Sequence, residues 1–343
     1  MIRFDCDYTE GAHPAIWEAM ARENFLQHPG YGLDERCEKA RELIKRECAC
    51  PHADVHFLVG GTQANFTVIA SVLRPWQGVL CAETGHIACH ETGAVEAAGH
   101  KVLPLPAHEG RISAAQVKAA YDAHWGDATH EHIVQPGMVY VSQPTEYGTL
   151  YSKGELTELY ETCRACSLPL FIDGARMGYG LAADESITLA DIAALCDVFY
   201  IGGTKVGCLF GEAVVITNDS LKRDFRYIIK QRGGMLAKGF LLGIQFETMF
   251  ESGLYYSVSE HAVSLARKIS AALEKKGIEF LFRSPTNQLF PILTKAQQAK
   301  LGEKYAFSYW QAVDGDRDAV RICTSWATTE GNVRELIKDI ENL

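Results

Sequence analysis

The sequence predicts an α/β fold: a three-layer arrangement in which helices cover both faces of a mostly parallel sheet, followed by a smaller α+β domain. Five apolar runs have the length of buried strands, and each is followed by glycine or polar residues. Segments with helical spacing separate these runs, an alternation typical of parallel sheets buried on both faces. Beyond residue 221 long helical stretches and short strands replace the alternation. We therefore expect a large domain over residues 1–240 and a small C-terminal domain over 241–343.

The five apolar runs predict the strands of the large domain in chain order. They are "VHFLV" (55–59), "GVLCA" (78–82), "MVYVSQ" (138–143), "LPLFI" (168–172) and "DVFYI" (197–201). Apolar residues recur with helical spacing in the segments between them, which predicts helices over 64–74, 113–125 and 152–166.

The C-terminal part has a different pattern. It predicts two long helices, three short strands and a terminal helix, over 236–250, 261–277, 278–282, 289–293, 319–326 and 330–343. Helices and strands that are grouped in this way are typical of an α+β domain.

Composition and charge exclude some classes of partner. The 343 residues carry a net charge of -10, and the 33 lysines and arginines are scattered rather than clustered. A nucleic-acid surface needs concentrated cations, so none is expected. The N-terminus lacks the pattern of a secretory signal, and no apolar run is long enough to cross a bilayer. We expect a cytoplasmic protein without a membrane partner.

The cysteines indicate a reducing compartment. There are eleven, an odd number, and most lie in apolar surroundings where a reduced thiol packs as a small hydrophobe. The single CxxC motif, Cys163 to Cys166, lies late in a predicted helix without a second pair, so a structural role is favoured over zinc or redox chemistry. No metal site is expected.

Each predicted strand of the large domain is followed by a polar motif. These motifs are "GGTQAN", "ETGHIACHE", "PTEYG", "DGARMG" and "GGTKVG". Because the carboxyl ends of parallel strands open onto one crevice, the five motifs are expected to meet in space.

Lys205 stands among glycines just after a predicted buried strand. A lysine partly removed from water favours its neutral form, and the free amine is a nucleophile toward a carbonyl group. The alternative is a lysine that extends from a strand end into solvent.

Two further motifs suit an anion and a heteroaromatic ring. "VGGTQAN" places Gly61 and Thr62 where a helix begins, so backbone N–H groups can hold a phosphate, although such turns are often ordinary helix entries. Asp173 can pair with a protonated ring nitrogen and Arg176 with a carboxylate, although Asp-Gly alone also suits a turn. Taken together, a free amine, an anion cradle, a buried acid and an arginine match what pyridoxal phosphate requires.

The motifs "GGTQAN", "HIACHETGA", "QPTEYGT", "IDGARMG" and "GGTKVGCLFGEA", in this order, resemble those of the low-specificity threonine aldolases. That family has the pyridoxal-phosphate fold of aspartate aminotransferase, fold type I. The resemblance extends from "FDCDYTEGAHP" to "VRICTSWAT", nearly the whole chain.

The resemblance implies a catalytic and a cofactor-binding set. Lys205 would form the Schiff base, Asp173 would bind the pyridinium nitrogen, Gly61 and Thr62 the phosphate, and His86 would stack on the ring. His132, in "HEHIVQP", matches the family's candidate base for the substrate hydroxyl, with a surface role as the alternative. Arg176 is also assigned to the cofactor site.

The resemblance also implies a substrate-binding set. Arg176 and Arg321 would hold the substrate carboxylate, and Cys6, Asp7 and Tyr31 would lie nearby. Some family members have serine where this chain has Cys6, so that contact differs here.

A homodimer or homotetramer with shared active sites is implied as well. In some family members an arginine after the "GGM" turn reaches the neighbouring subunit's phosphate, whereas this chain has Leu236 there. Arg232 or Lys238 would take that part.

The implied activity is that of a pyridoxal-phosphate-dependent carbon-carbon lyase. It would cleave β-hydroxy-α-amino acids, with threonine or allo-threonine giving glycine and acetaldehyde. The alternatives are a β-eliminating lyase or an aminotransferase on the same fold, and a pyridoxal-phosphate-binding protein without turnover.

Overall fold

The structure, a computed structural model, describes residues 1–343. It contains thirteen strands, numbered in chain order. They are β1 Ile2–Arg3, β2 Asp54–Leu58, β3 Gln77–Ala82, β4 Lys101–Leu105, β5 Gln135–Ser142, β6 Leu170–Asp173, β7 Val198–Gly202, β8 Glu212–Ile216, β9 Gln288–Leu289, β10 Ile292–Thr294, β11 Tyr305–Ala306, β12 Ser308–Ala312 and β13 Arg317–Cys323.

Fourteen α-helices accompany the strands. They are α1 Pro14–Glu23, α2 Glu35–Glu47, α3 Gly61–Val72, α4 His86–Cys89, α5 Ala94–Ala97, α6 Ala114–Gly126, α7 Lys153–Ala165, α8 Met177–Ala183, α9 Leu189–Ala194, α10 Phe225–Gln231, α11 Phe240–Glu251, α12 Leu254–Lys275, α13 Lys295–Gly302 and α14 Glu330–Glu341. Two 3₁₀ turns span His130–His132 and Asp219–Leu221. None of the helices combines the length and the apolar character that crossing a membrane requires.

The large domain is built on a seven-stranded sheet in the order β2-β8-β7-β6-β5-β3-β4. All five predicted strands are present and run in the same direction. Two further strands were not predicted: β4 lies at the edge of the sheet, and β8 runs antiparallel between β2 and β7. The predicted mostly parallel α/β fold is therefore confirmed.

Side-chain alternation along β5 shows why the domain has three layers. Val139 and Val141 face one buried apolar core, whereas Met138 and Tyr140 face the other. Successive side chains of a strand point to opposite faces, so a fully apolar strand needs cover on both. Helices supply that cover, and this buries the sheet and leaves its strand ends as the place for polar chemistry.

The helices that flank the sheet begin where the sequence provides a cap. Ser113 and Ser152 each accept a hydrogen bond from the backbone N–H three residues later, and Gln116 and Glu155 bond back to the cap residues. This reciprocal pairing satisfies two backbone donors at each start and fixes where α6 and α7 begin. The predicted helices over 113–125 and 152–166 are confirmed to within one residue at each end.

The boundary predicted between residues 240 and 241 does not coincide with the packing. Leu242 and Phe246 of α11 belong to the same core as the large-domain sheet, and so does Val258 in the first half of α12. Leu265 and Ile269, further along α12, belong to the core of the small domain. The long amphipathic helix α12 thus serves both cores, and the change occurs within it.

The N-terminal arm is part of the small domain's structure. β1 pairs in parallel with β11, and Phe4 is fully buried in the small-domain core. The rest of that domain is an antiparallel sheet in the order β10-β13-β12, with β9 also paired to β13. The arm therefore brings the residues that follow Phe4 to the cleft between the small domain and the central sheet.

Candidate active site

A cavity of about 320 Å³ lies at the carboxyl ends of the parallel strands. The turns that follow β2, β5, β6 and β7 all contribute to its wall, as the sequence predicts. Its lining side chains include Tyr8, Thr62, His86, Ser142, Glu146, Asp173, Arg176, Tyr200, Thr204, Lys205 and Glu212. Of the predicted site residues, the cavity therefore brings together Gly61, Thr62, His86, Asp173, Arg176 and Lys205.

Lys205 follows β7 and is the amine of the site. No carboxylate lies within 4.0 Å of its ammonium nitrogen, so it forms no ion pair. Burial lowers the pKa of Lys205, and the positive charge of Arg176 lowers it further. Both effects favour the neutral amine, the form that attacks a carbonyl carbon.

Asp173, the last residue of β6, is 4% exposed and accepts four hydrogen bonds. The hydroxyl groups of Tyr200 and Tyr140 donate to its two oxygens at 2.5 Å each, Asn65 Nδ2 donates at 3.0 Å, and the backbone N–H of Ala175 at 3.0 Å. Burial by itself raises the pKa of Asp173, but the charge of His86 and these hydrogen bonds outweigh burial and lower the pKa. The buried carboxyl group is therefore ionised.

His86 opens α4 on the cavity wall. Its Nδ1 lies 2.7 Å from Oε1 of the buried Glu91, and its backbone N–H donates to Glu146 Oε1 at 2.8 Å. Burial lowers the pKa of His86, but the bond to Glu91 and the charge of Asp173 outweigh it, and the pKa is raised. The imidazole therefore has one nitrogen fixed in the protein and the other, Nε2, left for the cavity.

The turn after β2 is an anion cradle. Gly60 caps α3 without a side chain, so the backbone N–H groups of the first turn have no partner inside the helix. A Cβ atom added to Gly61 would lie 3.1 Å from the Tyr200 hydroxyl oxygen, so only glycine leaves this space open. An unfilled helix start that faces the cavity suits a phosphate.

Two acids on the cavity wall were not assigned from the sequence, although both lie in the quoted motifs. Glu212 is 3% exposed, accepts hydrogen bonds from Thr204 Oγ1 and the Gly203 N–H, and burial raises its pKa to about 8. Glu146 accepts from Ser142 Oγ at 2.7 Å, and burial raises its pKa too. A neutral carboxyl group at Glu212 lessens the repulsion that an added phosphate would meet here.

Arg176 lines the cavity, but one face of its guanidinium is already occupied. Nε donates to Asp7 Oδ2 at 2.7 Å and Nη2 to Asp7 Oδ1 at 3.0 Å. Asp7 is fully buried and also accepts from Asn287 Nδ2 at 2.9 Å. Asp7 therefore orients Arg176, whose Nη1 has no partner in the protein and remains for a ligand, and a contact between Asp7 and substrate stays a prediction.

This buried pair leads to a prediction about stability. Asp7→Asn is expected to lower the free energy of unfolding by about 3 kcal/mol at pH 7, because it leaves the Arg176 charge buried and unpaired. Asp5→Asn is the matched control: its ion pair with the largely exposed Arg3 predicts a loss below about 1 kcal/mol. Urea unfolding of the three proteins measures both, and equal losses would contradict the role given to Asp7.

The Asp7–Arg176 pair also predicts how the stability of the protein depends on pH. Burial by itself would raise the pKa of Asp7, but the Arg176 charge outweighs it and lowers the pKa to about 2, from 3.8 when unfolded. A depressed carboxyl pKa stabilises the fold above the unfolded value, and the effect is lost as pH falls from about 3.8 through about 2. The stability difference between Asp7→Asn and the unaltered protein should narrow over that window.

Arg321 and Cys6, two other residues predicted to bind substrate, lie near the cavity but are not part of its wall. Arg321 Nη2 donates to the Asp5 carbonyl oxygen at 2.9 Å, and its guanidinium lies over the Trp310 ring. Burial raises the pKa of Tyr8, and the charges of Arg321 and Arg176 act against that rise. Both arginines therefore lie near Tyr8, the exposed tyrosine at the mouth of the cavity.

His132 is not brought to the cavity of its own chain. It is exposed, in the 3₁₀ turn that precedes β5, whereas the cavity lies beyond the other end of that strand. The eight residues of β5 span roughly 26 Å at about 3.3 Å per residue. The sequence shows which strand His132 precedes, but a residue before a parallel strand lies at the wrong edge of the sheet.

Tyr31, Arg232 and Lys238 also lie outside the cavity wall. Tyr31 and Lys238 are exposed, and the Tyr31 ring receives the Lys230 ammonium at 4.8 Å from its centroid. Arg232 is half-buried, and its Nη2 donates to the Ala98 carbonyl oxygen at 3.2 Å. Within a single chain none of the three lines the cavity with Lys205, although the Arg232 carbonyl oxygen accepts a hydrogen bond at 3.2 Å from Gln63 Nε2, in the first turn of α3.

The fold and this set of side chains define a class. A pyridoxal-phosphate-dependent enzyme of fold type I needs three features at the edge of its sheet. This site has all three: an ionised buried aspartate, a lysine with a lowered pKa and an open helix start. The chain belongs to the β-eliminating lyase family, whose family model matches residues 4–296.

Comparisons with individual proteins agree with that class. The low-specificity L-threonine aldolase of a Pseudomonas species is 30% identical over 98% of this chain and 96% of that protein. The structure of a threonine aldolase from Leishmania major is 43% identical and superposes with a TM-score of 0.96, covering 100% of this chain and 99% of the other. A double mutant of the aspartate aminotransferase of Thermus thermophilus, at 14% identity, shares the fold with a TM-score of 0.74 over 100% of this chain and 91% of the other.

Proposed function

We propose that this protein cleaves β-hydroxy-α-amino acids to glycine and an aldehyde, with threonine or allo-threonine giving acetaldehyde. The observation that carries the proposal is the buried Lys205 amine without an ion pair, in one cavity with the ionised Asp173 and an open helix start. The similarity to threonine aldolases over nearly the whole chain supports the choice of substrate.

The residues of the cavity fit pyridoxal phosphate. Gly61 and Thr62 would hold its phosphate, Asp173 its ring nitrogen, His86 its ring face and Lys205 its aldehyde carbon. When bound, the cofactor supplies a sink for the electron pair that bond cleavage leaves on Cα. Burial lowers the pKa of Lys205 and so favours the neutral amine, while the charge of His86 and the hydrogen bonds to Asp173 lower the pKa of that acid and favour its ionised form; these are the two protonation states that this chemistry requires.

The remaining side chains orient the substrate and move its proton. Arg176 offers Nη1 to the substrate carboxylate while Asp7 fixes the rest of the guanidinium. His86 Nε2 accepts the hydroxyl proton, Cα–Cβ breaks as the carbonyl of the aldehyde forms, and a proton returned to Cα gives glycine. The bond to Glu91 makes His86 the stronger base for this step.

A substrate panel tests the proposal. The purified protein with bound cofactor should release aldehyde and glycine in equal amounts from threonine, allo-threonine or phenylserine. The family also contains β-eliminating lyases, and that alternative predicts pyruvate and ammonia from serine or cysteine instead. A protein that gives the elimination products and no glycine would refute the proposal, as would one that binds cofactor without any turnover.

Replacing the two candidate base histidines separates their contributions. His86→Phe keeps a ring on the cavity wall but removes both nitrogens, so kcat for threonine cleavage is expected to fall about 100-fold or more. His132→Ala should change kcat less than about threefold if His132 serves no site, and aldehyde release measures both. A large loss in His132→Ala with little change in His86→Phe would instead assign the proton transfer to His132 of a neighbouring subunit.

We further propose a homodimer or homotetramer in which two chains complete each active site. Arg232 and Lys238 are cations that do not line their own cavity, and the same segment of chain contributes to an open surface patch formed by Tyr31, Arg226, Tyr227, Lys230 and Met235. An exposed basic and aromatic patch of this kind suits a twofold contact that supplies each site reciprocally.

Mixed subunits test the sharing. A Lys205→Ala chain and an Arg232→Ala, Lys238→Ala chain are each expected to have little activity, but half of the randomly mixed dimers would hold one intact site of two. The mixture should therefore recover about a quarter of wild-type activity. A mixture no more active than the mean of its parents, with subunit exchange demonstrated by mass, would contradict sharing.

A cytoplasmic location is also proposed. All eleven cysteines are free, and nine of them are buried as thiols, which supports a reducing compartment. Neither cysteine of the CxxC motif is exposed, in accordance with the structural role favoured for it.

A further inference from the structure

Two buried polar side chains contact the site from behind its wall. Glu91 and Asn65 have fully buried side chains, and neither lines the cavity. Burying an amide and a carboxylate is costly unless their hydrogen bonds repay the cost, and both contact cavity residues directly. Their effect on the chemistry must therefore pass through the residues they contact.

Glu91 determines which nitrogen of His86 holds the proton. Its Oε1 lies 2.7 Å from Nδ1, and a carboxylate at this distance accepts, so Nδ1 is the donor. In the neutral ring the other nitrogen is then an acceptor. Nε2, the nitrogen left for the cavity, is thereby able to take a proton.

Asn65 joins Glu91 to Asp173. A single nitrogen, Nδ2, lies 2.7 Å from Glu91 Oε1 and 3.0 Å from Asp173 Oδ2, so each of its two hydrogens serves one acid. Two carboxylates buried this close repel each other, and a neutral group that donates to both opposes that repulsion. An apolar residue of the same size could not hold them together.

We propose that Glu91 and Asn65 are positioning residues of the active site, which link His86 and Asp173 into one hydrogen-bonded chain and fix the His86 proton on Nδ1. The base that faces substrate and the acid that faces the cofactor ring are thereby coupled through protein atoms alone. The inference rests on the proposed function for its meaning in turnover, but the hydrogen-bonded chain itself can be measured without it.

His86 has several other charged or titratable neighbours that a test must consider. Asp173 raises its pKa and Lys205 lowers it, Glu146 accepts from its backbone N–H, and the ring of His90 lies 5.6 Å away. Only Glu91 forms a hydrogen bond with the ring itself. A variant at Glu91 therefore changes the ring's bond and leaves the other neighbours in place.

The unaltered protein provides the first test, because it requires no variant. Histidine is labelled with ¹⁵N in the protein with cofactor bound, and the His86 ring signals are assigned as those absent from His86→Phe. In the neutral His86 ring the hydrogen should be on Nδ1. Most neutral histidines in solution prefer the hydrogen on Nε2, so the proposal predicts the less common form. A neutral His86 ring with its hydrogen on Nε2 would overturn the proposal.

Glu91→Gln provides the second test. Glutamine keeps the shape and one acceptor oxygen but removes the charge, so the pKa of His86 should fall. Glu96→Gln is the matched control: Glu96 is exposed, bonds only the Val102 N–H, and should leave the pKa of His86 unchanged. Equal titration of His86 in all three proteins would overturn the role of Glu91.

A double-mutant cycle tests Asn65. Asp173→Asn should shift the pKa of His86 less when Asn65→Leu has already removed the linking amide. Equal shifts with and without Asn65 would overturn its part in the chain. Because the measured quantity is the titration of the His86 ring, the outcome does not depend on the substrate panel. A protein that cleaves no threonine can still have His86 linked to Asp173 by these hydrogen bonds.

Discussion

Lys205→Ala is expected to abolish turnover, with aldehyde release reduced by at least about 10³-fold. Lys205 alone among the lysines combines a place on the cavity wall with a pKa lowered by burial. No other amine of the same chain lines the cavity. Borohydride reduction of the unaltered holoprotein, followed by peptide mapping, should place the cofactor on Lys205.

Lys205→Ala is also expected to affect the free energy of unfolding in an unusual direction. A buried amine without an ion pair costs free energy, so Lys205→Ala should leave the free energy of unfolding of the cofactor-free protein unchanged or higher. Lys153→Ala is the matched control, because Lys153 is largely exposed and pairs with Asp191 at the start of α9. It should retain full activity. A cofactor label on any lysine other than Lys205 would refute the assignment.

Asp173→Asn is expected to retain cofactor but lose turnover on the order of 10³-fold, by analogy with the loss of a single charge-stabilising group in other enzymes. The amide cannot hold a ring nitrogen protonated, and its NH₂ end would face a donor, either the Ala175 N–H or Asn65 Nδ2. Equilibrium dialysis of the cofactor and kcat for threonine cleavage separate binding from chemistry.

Asp197 supplies the control for a buried aspartate. It is 3% exposed, accepts hydrogen bonds from the Leu170 N–H and Asn218 Nδ2, and precedes β7, so it lies at the edge of the sheet opposite the cavity. Asp197→Asn should lower stability and leave kcat within about twofold. If Asp173→Asn kept near-normal turnover, or Asp197→Asn lost as much, the role given to Asp173 would be wrong.

Particular elements show how far the sequence predicts the fold. The five parallel strands were predictable because each is an apolar run that ends in glycine or a polar motif. β4, "KVLPL", was missed because a proline and a lysine mask an edge strand, where both are tolerated. β8, "EAVVI", is also an apolar run of strand length, but its direction could not be predicted, because side-chain period does not reveal that this strand runs against its neighbours.

Some residues of the candidate site were likewise predictable from the sequence, and others were not. Residues at or just beyond the carboxyl end of a strand, such as Asp173 and Lys205, could be placed because all parallel strands open onto one edge. Asn65 was predictable as a buried polar residue: with Val68 and Ile69 it has the i, i+3, i+4 spacing of a buried helix face, where a polar residue needs a partner. Nothing in the local sequence identifies Glu91 as that partner, 26 residues away.

The sequence by itself determined the fold class, the cavity edge of the sheet and the lysine and aspartate of the site, because periodicity and strand-end motifs are local properties of the chain. Only the tertiary structure decided which groups pair. In the folded chain Arg176 pairs with Asp7, 169 residues away, and His132 lies at the far edge of the sheet. His86 is linked to Asp173 by hydrogen bonds through Glu91 and Asn65. The physical reason is that hydrogen-bond partners and pKa shifts depend on burial and on distances between segments that the folded chain alone brings together.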